Sequence, residues 1–263
     1  MNMIESKRFL ITPNNVDRYI NEIGKFIKDA VVKNNRQGGV LGMSGGIDCS
    51  VVARLCQKAG VDINLYMLPD GLDTNSDSYL DALKLTNKFN FKSEVIDIKP
   101  ICDAFEKQMP VELQQQTAAN VRPRIRMSVL YSLAQEQHRF VIGTGNFDER
   151  LLGYFTKWGD GASDINPLAM ITKAEVRILA KALDVPQSII DKAPSAGLFD
   201  GQTDEEELGL KYQQIDDFVI KGSSGYDIID RRIQNRINLA EHKNNPIPIF
   251  DGSKMQYERE PTR

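Results

Sequence analysis

Cysteine is scarce in this chain of 263 residues, with three in all, at positions 49, 56 and 102. Spacings of seven and forty-six residues make neither a disulfide framework nor a zinc-ligating pattern. Neither sign of charge dominates: 33 basic side chains face 36 acidic ones, a net charge of -3. With a sequence pI near 5.6, binding to nucleic acid through bulk charge is excluded. No apolar run approaches the roughly 18 residues of a membrane span. The N-terminal MNMIESKRFLITPNN lacks the apolar core and small-residue cleavage site of a signal peptide. These absences lead us to expect a cytoplasmic protein with no membrane and no nucleic acid among its partners. What is present is a hydrophobic fraction of 41%. Together with the small net charge, that excludes disorder as the main state. The length is enough to bury a full core.

Strand and helix signals alternate. Val16, Tyr19, Ile20, Ile23, Ile27, Ala30 and Val31 recur at helical spacing, so Asn15 to about Val32 reads as an amphipathic helix. Val40 to Met43 suits a buried strand, as do Ile63 to Met67 and Phe140 to Gly143. Phe91 to Ile98 alternates like a fourth strand. Helices are expected around Val51–Ala59, Tyr79–Phe89 and Met127–Ala134. Pro123 is tolerable there only in a first turn. Thr172 with Glu175, and Thr203 with Glu206, have capping-box spacing, the second opening a helix through Tyr212, Ile215 and Phe218. A last helix runs from about Tyr226 to Ala240. Four strands separated by helices point to an α/β fold: a doubly wound parallel sheet with helices on both faces. Nothing marks a linker, so one domain over 1–263 is expected.

Ligands of such a sheet collect where strand ends meet helix N-termini. The first such loop is Gly42-Met43-Ser44-Gly45-Gly46-Ile47-Asp48-Cys49-Ser50. Its glycines let backbone N–H groups approach an anion, and the next helix offers its positive end. Ser44 and Ser50 add hydroxyl donors. Asp48 would repel a phosphate unless a cation lay between them, which argues for magnesium. The loop has neither the lysine of a Walker A motif nor the GxGxxG pattern. A glycine pair between a strand and a helix is also, by itself, only a tight turn.

The stretch GTGNFDERLLGYFTKWGDGASDINPLAMITKAEVR holds Thr144, Glu149, Lys157, Asp160, Asp164 and Lys173 in a glycine-rich region. A solvated connector would leave Tyr154, Phe155 and Trp158 in water, so an aromatic-lined pocket with converging polar groups is favoured.

GMSGGIDCS resembles the SGGxDS signature of the N-type ATP pyrophosphatases, with Cys49 where serine is usual. The second block, the stretch KAPSAGL from Lys192, the stretch GQTDE from Gly201 and the pair His242-Lys243 resemble the ammonia-dependent NAD synthetases over nearly the whole chain. The resemblance implies an adenine nucleotide alpha-hydrolase-like fold. It also implies ATP-dependent amidation of deamido-NAD with ammonia through an acyl-adenylate, releasing AMP and pyrophosphate. By that resemblance, ATP contacts fall on Gly42, Met43, Ser44, Gly45, Gly46, Ile47, Asp48, Cys49, Thr144, Lys173 and Ser195. Magnesium ligands fall on Asp48 and Glu149. Deamido-NAD contacts fall on Arg124, Lys157, Asp164, His242 and Lys243, and Asp160 lies near the nicotinate carboxylate and the ammonia. Asp48, Lys173 and Asp160 are the catalytic candidates.

The resemblance also implies a homodimer, for which we expect the Arg124–Ala134 helix to form part of the interface. From the chain length, with no room for an amidase domain, free ammonia is the expected nitrogen donor. Loops 69–78 and 194–209 are expected to act as lids. Arg122 and Arg126 are expected to solvate a helix face, and Glu205–Glu207 to serve the helix dipole alone. A tRNA-thiolating relative would need a cysteine pair. A non-catalytic nucleotide sensor would lack paired metal carboxylates.

Overall fold

In the computed structural model, which describes residues 10–193 and 203–251, helix α1 (Val16–Lys33) buries Val16, Ile20, Ile27 and Val31 along one face. β1 (Gly39–Gly42), α2 (Ile47–Lys58), β2 (Ile63–Met67), α3 (Asp77–Phe89) and β3 (Ser93–Val95) follow. Next come α4 (Lys99–Gln108), α5 (Gln115–Glu136), β4 (Phe140–Val141) and the short α6 (Phe147–Leu152). The chain continues with α7 (Lys173–Ala182), α8 (Gln187–Asp191), α9 (Asp204–Leu208), α10 (Tyr212–Lys221) and α11 (Asp227–Asn244).

The strands form one parallel sheet in the order β3-β2-β1-β4. Successive side chains of a strand point to opposite faces. Leu41 accordingly packs with Ile27, Leu55 and Leu179 from α1, α2 and α7. Its neighbour Val40 packs with Cys102 and Val121 from α4 and α5. Both faces are covered, as the apolar strands require. A third core joins Phe147 and Leu151 of α6 to Leu208, Tyr212, Ile215 and Ile233 of the C-terminal helices. The chain winds outward from β1 to β2 and β3, then returns to place β4 on the other side of β1. The carboxyl ends of β1 and β4 thus flank the topological switch point, where open α/β sheets bind ligands.

Four elements differ from expectation. Pro123 lies well inside α5 rather than in a first turn. Its ring is buried against the 156–161 turn, where a methyl on Gly159 would sit 3.1 Å from Pro123 Cβ. That packing offsets a helix cost of about 3 kcal/mol. The strand expected over Phe91–Ile98 shrinks to Ser93–Val95, an exposed edge with one neighbour. The β4 strand ends at Val141: Ile142 still donates its N–H to the Val40 carbonyl at 3.0 Å, but its other side bridges Ile165. The helix expected from Thr203 through Phe218 is two helices: Gly209, at φ +62°, closes α9, and the chain restarts where Glu205 accepts the Tyr212 N–H at 2.9 Å. No helix among the described residues is long and apolar enough to cross a membrane.

Candidate active site

Between β1 and α2 the turn is held by close approach. Gly45 has φ +79°, and a Cβ there would lie 2.0 Å from the Ser78 carbonyl oxygen, so a side chain is excluded by conformation and by space. Asp48 sits in the first turn of α2, where the helix dipole favours a carboxylate. Met43 and Ile47 are buried and carry the turn into the core. The Ser44 hydroxyl lies 3.3 Å from both the Gly46 N–H and the Cys49 thiol. Cys49 is buried and donates to the Gly46 carbonyl at 3.1 Å, beneath the turn. The expectation that Ser50 offers a hydroxyl outward is wrong: the residue is buried and its Oγ donates to the Gly46 carbonyl at 2.7 Å.

Three charged groups from three elements meet beside this turn. The Lys173 ammonium, at the first position of α7, lies 2.6 Å from Asp48 Oδ2 and 3.7 Å from Glu149 Oε1 of α6. Its side chain is 4% exposed and passes over the Tyr212 ring at 5.4 Å. Burial alone would lower the Lys173 pKa, but Asp48 and Glu149 outweigh it and hold the amine above its usual range. Burial, then repulsion from Asp48, pushes Glu149 up to about 8. At neutral pH Glu149 is therefore largely protonated beside the charged Asp48–Lys173 pair, and an added cation would ionise it by offsetting the repulsion between the two carboxylates. They already converge on one point, where the tethered ammonium stands in for a cation. This donor set suits a hard divalent ion that takes its remaining ligands from phosphate and water. Among the described residues no cluster of three or more His, Cys, Asp or Glu could hold a metal alone.

α6 links this cluster to the second group of candidates. Six residues long, it spans about 9 Å at 1.5 Å per residue. Gly153 caps its far end at φ +64°, and Lys243 of α11 donates to the Gly153 and Phe155 carbonyls at 2.6 and 2.7 Å. Lys157 donates to the His242 carbonyl at 2.6 Å, and Arg124 Nε to the Lys157 carbonyl at 3.3 Å. Arg124, Lys157 and Lys243 therefore form one basic patch, which His242 joins through its carbonyl. Asp160 faces it, its charge opposing the lowering of the Lys243 pKa that burial causes. The Asp160 carboxylate accepts the Thr156 N–H at 2.9 Å and closes the 156–161 turn. Asp164 engages a different part of the fold, accepting the Val141 N–H at 2.7 Å at the end of β4.

The expected aromatic pocket is only partly closed. The Tyr154 hydroxyl donates to Glu207 at 2.6 Å, and the Lys243 ammonium lies 5.2 Å from the centre of the Phe155 ring. Trp158, however, is 55% exposed. The turn holds it at φ +61°, in a region that bulky side chains rarely adopt.

Thr144 follows β4 in the loop that carries Asn146 into α6. Ser195 and the lid expected from Pro194 to residue 202 lie outside the described residues. The remainder of that segment is α9, docked by Tyr212 on Asp204 at 2.9 Å as well as by Tyr154 on Glu207. Its acidic run thus does more than serve a dipole. Arg122 and Arg126 are not solvating a face either: Arg122 pairs with Asp70, and Arg126 Nε donates to the Leu68 carbonyl at 2.8 Å. Both pin the loop after β2. Sequence reasoning misses Asn146 and Asp148. Asn146 is the N-cap of α6, with Glu149 completing a capping box, and that spacing is a signal able to find it. Asp148 is fully buried, accepts the Lys173 N–H at 2.7 Å and ties α6 to α7. No local pattern marks it.

Residues 19–247 match the family model described as NAD synthase. The chain is 40% identical over 233 residues to the NH(3)-dependent NAD(+) synthetase of Pyrococcus furiosus, covering 86% of each. It is 37% identical over 238 residues to the protein of the same name from Mycoplasma genitalium, covering 88% of this chain and 94% of that one. Among solved structures, the NMN synthetase from Francisella tularensis superposes with a TM-score of 0.86 at 39% identity, covering 92% of this chain and 100% of that one. The NH3-dependent NAD synthetase from Campylobacter jejuni gives a TM-score of 0.77 at 29% identity, covering 90% and 99%.

Proposed function

Because the chain belongs to the NAD synthase family, we propose that its β1 and β4 loops carry out the ATP-dependent amidation of deamido-NAD with ammonia to NAD. The observation that carries the site assignment is the convergence of Asp48, Glu149 and Lys173 at the β1/β4 crevice. A carboxylate does not form an amide with ammonia at neutral pH, because oxide is a poor leaving group. Adenylation supplies a better one. A nicotinate oxygen bonds to the α-phosphorus as the bond to the β-phosphate breaks, and pyrophosphate leaves into the turn at Gly42–Cys49. There the backbone N–H groups and the N-terminus of α2 receive it. Lys173, freed to share its charge between the carboxylates and the phosphates, stabilises the charge that builds on the leaving group. Asp48 and Glu149 would hold magnesium, which when bound neutralises phosphate charge and aligns the departing oxygens. Thr144 and Ser195 complete the ATP contacts.

The patch of Arg124, Lys157, His242 and Lys243, with Asp164, receives the acceptor. Its ammonium and guanidinium groups would exchange their carbonyl partners for phosphate and ribose oxygens. Asp160 takes a proton from ammonium. Ammonia then bonds to the acyl carbon as the acyl–oxygen bond to AMP breaks, and the second proton shed by the new amide nitrogen goes to the departing phosphate or to water. We place the enzyme in the cytoplasm as a homodimer, with the Arg124–Ala134 stretch of α5 in the interface.

A second reading of the acceptor has one observation in its favour: the match to the Francisella NMN synthetase exceeds that to the Campylobacter NAD synthetase in both TM-score and identity. In that reading the same amidation acts on the mononucleotide, nicotinate mononucleotide. Supplying ATP, MgCl2 and ammonium with either acceptor and following amide product and AMP decides between them. Deamido-NAD is expected to give the higher kcat/KM. A higher value for the mononucleotide would transfer the assignment to that substrate, and amide formation from neither would refute the function.

A further inference from the structure

We infer that Asn146 is a positioning residue that fixes Asp48 and Glu149 relative to one another, and this rests on the cation site proposed above. Asn146 is fully buried at the N-cap of α6. Its Oδ1 accepts the Glu149 N–H at 3.0 Å, and its own N–H donates to Glu149 Oε2 at 3.1 Å. The other end of the amide, Nδ2, donates to Asp48 Oδ1 at 3.1 Å, across 98 residues of sequence. The orientation of the amide is fixed by these partners, because only its oxygen can accept from a backbone N–H and only its nitrogen can donate to a carboxylate.

Capping alone does not require an amide. At the N-caps of α7 and α9 this chain uses threonine, at positions 172 and 203, and forms the same capping box. A hydroxyl serves as well as an amide to accept the N3 N–H. What asparagine adds is a second, separate donor, and here that donor reaches the carboxylate on the other strand-end loop. One buried side chain therefore holds both carboxylates, leaving Asp48 Oδ2 on Lys173 and Glu149 Oε1 facing the same ammonium. Without the Nδ2 donor, Asp48 loses its link to α6, and the cation must itself bring the two loops into register.

The test is binding of Mn²⁺, a spectroscopic substitute for magnesium, to the full chain saturated with a non-hydrolysable ATP analogue whose phosphates supply the remaining ligands, followed by electron paramagnetic resonance of the protein-bound ion. Asn146→Ser keeps the cap and removes the donor. Loss of such a supporting hydrogen bond weakens metal affinity by about 10-fold or more, so its Kd should rise about tenfold while the thermal midpoint stays near that of the unaltered chain. If Asn146→Ser does not fold, Asn146→Thr, matching the caps at 172 and 203, serves for the same titration. An unchanged Kd overturns the positioning role. Asp48→Asn, titrated in parallel, separates the two levels: if it binds Mn²⁺ as tightly as the unaltered chain, the cation site is refuted and the role of Asn146 falls with it. If Asp48→Asn binds weakly but Asn146→Ser binds normally, only the positioning role is refuted.

Discussion

Asp48→Asn should lower magnesium-dependent pyrophosphate release by on the order of 10²–10³-fold at saturating ATP and acceptor, the scale of losing one preorganised electrostatic partner. The substitution is isosteric, so the turn keeps its shape. The single oxygen of the introduced amide can accept from Asn146 Nδ2 or from Lys173 but not from both. The lysine must therefore shift toward Glu149 if the link to Asn146 is kept, while Gly45 and Ser78 are untouched. What changes is charge. Lys173 loses its partner at 2.6 Å and keeps Glu149 at 3.7 Å. Removing one member of a buried pair costs about 3–5 kcal/mol when the other charge is left alone, but here Glu149 remains to pair with the ammonium. Relief of repulsion from Asp48 should also bring the Glu149 pKa down from about 8. A fold that survives with its chemistry lost is therefore the expected outcome, read as pyrophosphate release against thermal midpoint. Near-normal release with an unchanged magnesium requirement would remove Asp48 from the site.

Asp160→Asn should divide the reaction in two. The amide oxygen that this substitution brings can replace the carboxylate as acceptor of the Thr156 N–H, so the turn that sets Lys157 and Trp158 stays closed. In the proposed assignment adenylation draws on the β1 turn, Lys173 and the cation held by Asp48 and Glu149, and asks no proton transfer of Asp160. Pyrophosphate release in the presence of acceptor should thus continue within about threefold of the unaltered rate. Amide formation should fall by about 10²–10⁴-fold, the range for a positioned proton acceptor. The accompanying sign would be a pH profile for amidation displaced toward alkaline pH, where free ammonia no longer needs an acceptor for its proton. Equal loss of both half-reactions would assign Asp160 to the architecture of the turn, and amidation at the normal rate would remove it from the chemistry.

How much of this was legible in the sequence depends on the reach of each interaction. The glycine turn, the boundaries of β2 and the capping boxes at Thr172 and Thr203 are local, and all are present where the spacing put them. The doubly wound sheet followed from strand–helix alternation. Elements set by distant partners were not legible. Pro123 is held in mid-helix by a turn more than thirty residues away, and Arg122 and Arg126 grip the loop after β2 instead of facing water. β3 fades because it lies at the edge of the sheet. In the site, sequence pointed to Asp48, Glu149 and Lys173 as charges with a chemical purpose, and the fold gathers both carboxylates around the one ammonium, at 2.6 and 3.7 Å. Nothing in the spacing signalled that Ser50 turns its hydroxyl inward or that Asp148 anchors the start of α7. Those roles depend on which carbonyl or N–H the fold happens to place opposite, and no local pattern encodes that.

The most direct measurement is of oxygen transfer. Deamido-NAD labelled with oxygen-18 in its nicotinate carboxylate, turned over with ATP, magnesium and ammonium, should yield AMP carrying one labelled phosphate oxygen and unlabelled pyrophosphate, because the carboxylate oxygen that attacks the α-phosphorus leaves with it. AMP free of label, or ADP and phosphate as products, would contradict attack at the α-phosphorus and with it the assignment of the β1 turn to the departing pyrophosphate.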